Sequence, residues 1–400
     1  MRSQAIHQSL LWSLMGTLLW GGALGAQSAQ RLRFVTTLGQ DTTAVEQFDR
    51  TDTSVVGDIV FRAPRARIVH YDVVTTRARR LVSALITVGA PKSAGTNTPL
   101  STIGVTARGD SLVIERTQGD SVTRRTVPAP GLAIPWFSAQ SVALWELVVR
   151  AASEKTGDSV EVAGLTLETG KTTRVYVSRF QRDSARVDYE RFDIATHLGI
   201  DSNGHVTGLD GTPSTVKIRA NLVASLDLPS LAERFGREDA AGRAPGALSP
   251  RDTARANVGG ATISIDYGRP SRRGRDVWGA LLPKDDVWRL GANAATTLRT
   301  THPLHFAGAA KVPAGSYTIW LIPGTDAGTF IINSETGQWG TQYKVAHDLA
   351  RFPVRFESIG SGTPEQFTAR VAPNAGNEGA LLFEWDGRRY VVPFRVLPAV

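Results

Sequence analysis

The most concentrated chemical feature is the stretch Trp288-Arg289-Leu290-Gly291-Ala292-Asn293, with Trp339 and Tyr343 further along the chain. Arginine and asparagine are directional hydrogen-bond donors, and tryptophan offers a stacking face. Trp288, Arg289, Asn293, Trp339 and Tyr343 would together form an aromatic-lined polar site of the kind that takes a sugar. The same residues also read as structure. Trp288 and Trp339 would then fill a core, Gly291 and Asn293 would occupy a turn with positive φ, and Arg289 would pair with an acid.

The other reactive side chains are scattered. His302-Pro303-Leu304-His305 is a close histidine pair, but Pro303 puts it at a loop-to-strand junction and no third ligand is near in sequence, so no metal is expected. Asp266, Glu335, Asp348, Glu357 and Glu384 supply carboxylates for an acid–base pair, and sequence does not place any two together. His70, His197 and His347 stand alone. Familiar hydrolase signatures and phosphate-cradling glycine loops do not occur, so no cofactor is expected. With no cysteine, thiolate catalysis, thiolate metal sites and disulfides are impossible.

The elements that must position these residues are short and mostly extended. The chain has 400 residues, 42% of them hydrophobic and 20% charged, an ordinary globular mix with enough apolar surface for a real core. Its 39 glycines and 20 prolines favour many short elements. The formal charge of +8 rests on arginine, with lysine at only seven positions, and it is dispersed. The longest cluster is Arg269-Pro270-Ser271-Arg272-Arg273-Gly274-Arg275, without the interleaved aromatics of a nucleic-acid platform, so no nucleic-acid partner is expected.

Residues 1–26 read as a signal peptide, with Arg2 ahead of a short apolar run and small residues around Gly25. The run is about half the ~20 residues of a membrane span, so an exported protein, periplasmic or extracellular, with no transmembrane segment after cleavage is expected. Residues 31–222 read as a β-meander. Val69, Tyr71 and Val73 alternate on one face, and Gly109-Asp110 and Gly119-Asp120 mark hairpins. One helix, from Ala139 to Ala152 and capped by Ser138, carries a stripe of Val142, Trp145, Val148 and Val149. A curved antiparallel sheet or open half-barrel with one covering helix follows. Residues 223–247 read as a short helix, Leu228–Phe235, and a linker. Residues 248–398 alternate again, with Ser316–Ile322 apolar on both faces like a central strand, and predict an antiparallel β-sandwich.

That second half carries a series of distinct short motifs: Leu248-Ser249-Pro250-Arg251-Asp252, Tyr267-Gly268-Arg269-Pro270, Val287-Trp288-Arg289-Leu290-Gly291-Ala292-Asn293, Val312-Pro313-Ala314-Gly315 and Gln338-Trp339-Gly340. On these residues the C-terminal half resembles a bacterial family known only as domain of unknown function 2911. The resemblance implies an exported, β-rich domain and no particular reaction. Many members carry an acid after the Gly-x-Asn; here it is Ala294. Two functions follow as expectations. One is a non-catalytic envelope protein binding a small amphipathic ligand, a glycan or an envelope protein partner. The other is a periplasmic or secreted hydrolase or isomerase with its site in the C-terminal sandwich.

Overall fold

The computed structural model describes residues 30–91, 99–128, 133–136, 138–153, 157–167, 169–181, 183–189, 196–282, 285–306, 311–325, 327–360 and 364–399. The expected signal peptide lies outside them.

Two meanders make the N-terminal sheet. The first runs β1 (Gln30–Leu38), β2 (Asp41–Arg50), β3 (Ser54–Phe61), β4 (Arg67–Thr75), β5 (Leu81–Gly89), β6 (Ser101–Arg108), β7 (Ser111–Gln118) and β8 (Ser121–Pro128). The second runs β9 (Ala133–Trp136), β10 (Ser159–Thr166), β11 (Lys171–Gln181), β12 (Ser184–Tyr189), β13 (Thr196–Ile200), β14 (Val206–Asp210) and β15 (Ile218–Leu222). They join where β1 pairs antiparallel with β15, giving one sheet of fifteen strands among the described residues, with β8 and β9 at its edges. Alternation is clean where it was expected: Val69, Tyr71 and Val73 of β4 are buried with half-buried residues between them. Gly109 and Gly119 take the left-handed φ (58° and 56°) that their tight turns require.

The pairing of β9 with β10 is parallel. A parallel pair needs a crossover, and α1 (Val142–Ser153) supplies it. This helix starts three residues later than Ser138 predicts, because its cap comes from elsewhere. Ser141 Oγ accepts the N–H of Leu144, and Glu46 of β2 accepts the N–H groups of Val142 and Ala143. The helix is also buried on every side rather than along one stripe, Glu146 and Arg150 included. The curved sheet wraps around it, and its side chains merge with those of the strands into one core.

The second helix, α2 (Leu228–Ala240), runs through Gly236 and well into the expected linker. Asp227 caps it. Leu228, Ala232 and Phe235 cover Val45, Val60 and Ala66 on the outer side of the sheet. Its last turn is pinned by Arg62, which pairs with Glu238 and Asp239.

The C-terminal half comprises β16 (Arg251–Val258), β17 (Ala261–Gly268), β18 (Thr296–Thr300), β19 (Leu304–Phe306), β20 (Lys311–Val312), β21 (Gly315–Ile322), β22 (Ala327–Asn333), β23 (Asp348–Ser358), β24 (Thr368–Pro373), β25 (Glu378–Trp385) and β26 (Arg388–Val396). The order is β16-β17-β18-β21-β22-β23-β26-β19-β20, with β25 and β24 branching from β26. The sheet folds over until β24 lies beside β16 and β17, enclosing an aromatic-rich core in sandwich fashion. The apolar run of β21 is central, as expected.

The halves touch. The β1–β2 turn docks on the Arg272–Arg275 loop: Gln40 N–H donates to the Arg273 carbonyl (3.1 Å), and Arg273 pairs with Asp41. Beside this contact is a cleft of about 290 Å³, lined by Gln40, Asp41, Thr43, Arg62, Leu248 and Arg273.

Candidate functional site

The segment that holds Arg289 begins as a short stretch of sheet. Trp288 exchanges backbone hydrogen bonds with Leu321 of β21, at 2.7 and 2.9 Å. Its indole turns inward, stacks on Trp385 at 6.2 Å and meets the edge of Phe367 at 5.1 Å. Its Nε1 donates to the carbonyl of Gly291 (3.2 Å). Trp288 is therefore core, and it anchors the turn that follows.

That turn is unusual. Leu290, Gly291 and Asn293 all have positive φ (48°, 152° and 64°). A non-glycine residue there carries local strain, which surrounding structure must hold in place. Gly291 packs against the backbone of Gly268, where an added Cβ would sit 2.8 Å from the carbonyl oxygen. Thr296 Oγ1 holds the Leu290 carbonyl at 2.7 Å. The motif glycines thus bring two backbones together.

Arg289 lies across Gly340, where a Cβ would meet its Cδ at 2.0 Å and the Asn293 carbonyl at 2.6 Å. Gly340 N–H donates to that carbonyl (2.9 Å), and Trp339 bridges Ala294 in backbone pairing. So Arg289, Asn293 and Trp339 come together around Gly340. Burial pulls the Arg289 guanidinium down to about 10. Its Nε is buried without a hydrogen-bond partner, and no described residue accepts from or pairs with the guanidinium. The expected acid for Arg289 is not among the described residues.

Tyr343 belongs to another cluster. It packs edge-on against Trp320 (5.1 Å), within a small apolar group separate from the Trp288 core. Its hydroxyl donates to Asp348 (2.5 Å), which also accepts from Arg351 and Asn333. Burial, then the Asp348 hydrogen bond, push the Tyr343 hydroxyl up to about 12. This cluster ties the start of β23 to the end of β22. Of the other carboxylates, Glu384 pairs with Arg370 and Arg389, and Asp266 with Arg251. His305 is exposed on β19, and the His302 ring meets Thr301 Oγ1 at 3.1 Å. Among the described residues no three His, Asp or Glu side chains gather to hold a metal.

Sequence reading passed over a buried ionic network around α1. Glu46 accepts from Ser141 Oγ (2.6 Å), Tyr71 Oη (2.8 Å) and the Val142 N–H (2.6 Å). Burial outweighs these donors and pushes its carboxyl up to about 7. One turn along the helix, Glu146 meets Arg50 at 3.0 Å, Arg150 at 3.2 Å, the His205 ring at 2.8 Å and the Val206 N–H at 2.7 Å. Burial alone would raise Glu146; the His205 hydrogen bond and the Arg50 charge lead the effects that bring it below the usual range. Both carboxylates are sealed from solvent, so they hold helix to sheet rather than face a ligand. Their lone positions in β2 and α1 carried no pattern that pairs them.

Residues 249–394 match the family model described as a protein of unknown function, DUF2911, in agreement with the motif resemblance; the N-terminal half matches no family. No curated protein matches the chain. The crystal structure of a DUF1089 family protein from Pseudomonas aeruginosa is 14% identical, covering 48% of this chain and 94% of that chain, with a TM-score of 0.30. The DNA polymerase sliding clamp from Pseudomonas aeruginosa with ligand is 9% identical, covering 92% of each chain, with a TM-score of 0.10.

Proposed function

We propose that this is a non-catalytic, exported binding protein of the cell envelope, with a small ligand seated at Arg289, Asn293 and Trp339. The observation that carries the reading is the guanidinium of Arg289, largely removed from water and bonded to no described acceptor. A buried N–H without an acceptor costs about 1–3 kcal/mol, so the Arg289 Nε is explained when a ligand supplies the missing partner. The strained turn beside it is a second mark of a site rather than of packing alone. An apolar ligand inside the curved sheet is less well supported, because α1 already occupies that space. A hydrolase or isomerase would want an acid at Arg289 and Asn293; Asp266, Glu335, Asp348 and Glu384 pair instead with Arg251, Lys344, Arg351 and Arg370.

The test uses the mature chain from Gln27, analysed by native and denaturing mass spectrometry and by thermal shift. A co-purifying small molecule, lost in Arg289→Ala and restoring the melting temperature on rebinding, is the expected result. Turnover of a substrate that depends on Arg289 would replace binding with catalysis. Equal ligand content in wild type and Arg289→Ala would move the site elsewhere.

A further inference from the structure

We propose that the cleft between the two halves is a second binding site, separate from the Arg289 turn, and that it takes a small monocarboxylate on the guanidinium of Arg273.

The cleft, of about 290 Å³, is at the lower end of the sizes that hold small molecules. Both halves and the segment between them build its wall. Gln40, Asp41 and Arg62 come from the N-terminal sheet, Arg273 from the C-terminal half, and Pro245 and Leu248 from the connection. The connection is tied down where Gly246 N–H donates to the Pro64 carbonyl at 3.1 Å. Arg273 is fixed on both sides of its own backbone. Its N–H donates to Glu365 Oε1 at 2.6 Å, and its carbonyl accepts the Gln40 N–H at 3.1 Å. Its φ of 52° is left-handed, a conformation that a side-chain-bearing residue keeps only where its surroundings impose it. The side chain is therefore presented from a rigid base.

Arg62 and Arg273 face the same cleft and are buried to the same degree, with 12% and 11% of the side chain exposed. Their partners differ. Arg62 pairs with two acids, Glu238 at 3.0 Å and Asp239 at 2.5 Å, and donates to the Arg243 carbonyl at 3.0 Å. Arg273 has one acid, Asp41, on Nη1. Its Nε is buried without a partner. Nη2 bonds to no described residue either, yet it is not sealed as Nε is, so it is the nitrogen that a ligand in the cleft meets. A ligand carboxylate there gives Arg273 the second acid that Arg62 already has, through a charge-assisted hydrogen bond. One negative charge is what the wall has room for. Glu238 and Asp239 already outweigh Arg62, and Asp41 stays beside the entering group, so a doubly charged phosphate meets more repulsion than attraction. Ala63, Pro245 and Leu248 supply apolar surface for a short carbon body.

The experiment titrates the mature chain by calorimetry with butyrate, acetate, butyramide and inorganic phosphate at equal ionic strength. Butyrate should bind saturably and roughly tenfold tighter than acetate, because its two further methylenes reach the apolar wall. Butyramide, of the same shape without the charge, should bind at least tenfold more weakly than butyrate. Arg273→Lys keeps a cation for Asp41 and loses the planar set of donors, so it should weaken butyrate roughly tenfold. Ala63→Leu fills the cleft without touching a charge and should weaken butyrate as well, which keeps the test decisive if Arg273→Lys folds poorly. Butyrate should also slow limited proteolysis between Gly242 and Gly246 in wild type, since the ligand touches both halves and the connection. Equal binding of butyrate and butyramide, or butyrate binding untouched by both variants, overturns the proposal. Tighter binding of phosphate than of butyrate overturns the carboxylate assignment. Butyrate binding lost in Arg289→Ala and retained in Arg273→Lys overturns the cleft as its seat.

Discussion

The carboxylate of Glu46, on β2, accepts the N–H of Val142, the first residue of α1, at 2.6 Å. A strand side chain thereby caps a helix that follows it by 96 residues. The first N–H groups of a helix have no partners of their own, and a buried helix start cannot leave them to water. A carboxylate there also meets the positive end of the helix dipole. This contact explains why α1 begins at Val142, and it couples the first meander to the crossover that closes the second.

Glu46 should give the folded protein a falling stability between the ordinary carboxyl range and neutrality. Its pKa is about 7 in the folded chain against 4.5 for an unburied glutamate, so the folded state holds its proton longer. Stability from this group is greatest below about pH 4.5 and declines as pH rises to about 7, by up to roughly 3 kcal/mol. Glu46→Gln should flatten that part of the stability–pH curve measured by urea unfolding. It keeps an acceptor for the helix N–H groups, and its amide NH2 can donate to the Tyr71 and Ser141 hydroxyl oxygens once their hydrogens turn away. A slope unchanged in Glu46→Gln would assign the titration to another group.

Arg50 and Glu146 should be strongly coupled. The pair is buried, and Glu146 is held below the usual carboxylate range by His205, Arg50 and Arg150. Arg50→Met should cost about 1–3 kcal/mol, since it takes one charged partner from a buried carboxylate that keeps Arg150, His205 and the Val206 N–H. The double variant Arg50→Met, Glu146→Gln should recover part of that loss. Strict additivity in a double-mutant cycle by chemical denaturation would show that the two do not act as a pair.

Much of the fold was legible because its signals are local. Period-two alternation marked β4, and the Gly-Asp turns marked the β6–β7 and β7–β8 hairpins. The apolar run of Ser316–Ile322 marked a central strand. Errors arose where a distant residue decides a local outcome. The start of α1 depends on Glu46, and α2 runs past Gly236 because Arg62 anchors its last turn. Nothing next to Ser138 or Gly236 in sequence reports either contact.

The site was legible in part for the same reason. Positive φ at Gly291 and Asn293 followed from residue type, and so did the burial of Trp288. Placing Trp339 beside Arg289 needed the Gly340 contact, and Tyr343 went to a different cluster because Trp320 draws it there.

Gly340→Ala should disturb Arg289 without touching its charge. The new methyl would fall 2.0 Å from Arg289 Cδ and 2.6 Å from the Asn293 carbonyl, both far inside van der Waals contact. The backbone oxygen cannot swing away, so a stability loss of about 1–3 kcal/mol is expected, with ligand binding at Arg289 weakened. Unfolding by denaturant, with binding measured on the folded fraction, checks both. Full stability together with full binding would mean that the arginine has another equally good path.

Gly39→Ala should open the junction between the halves. Gly39 has φ 61°, and an added Cβ would sit 2.3 Å from the Arg273 carbonyl that receives the Gln40 N–H. The methyl therefore strains the turn and pushes off the loop it docks on, while the cores of both halves stay untouched. The exposed segment from Gly242 to Gly246 lies between them. Cleavage there by a low concentration of protease should quicken roughly tenfold in Gly39→Ala, as the open form becomes more populated. Unchanged cleavage would show that α2 and the Arg62 ion pairs, rather than the β1–β2 turn, keep the halves together.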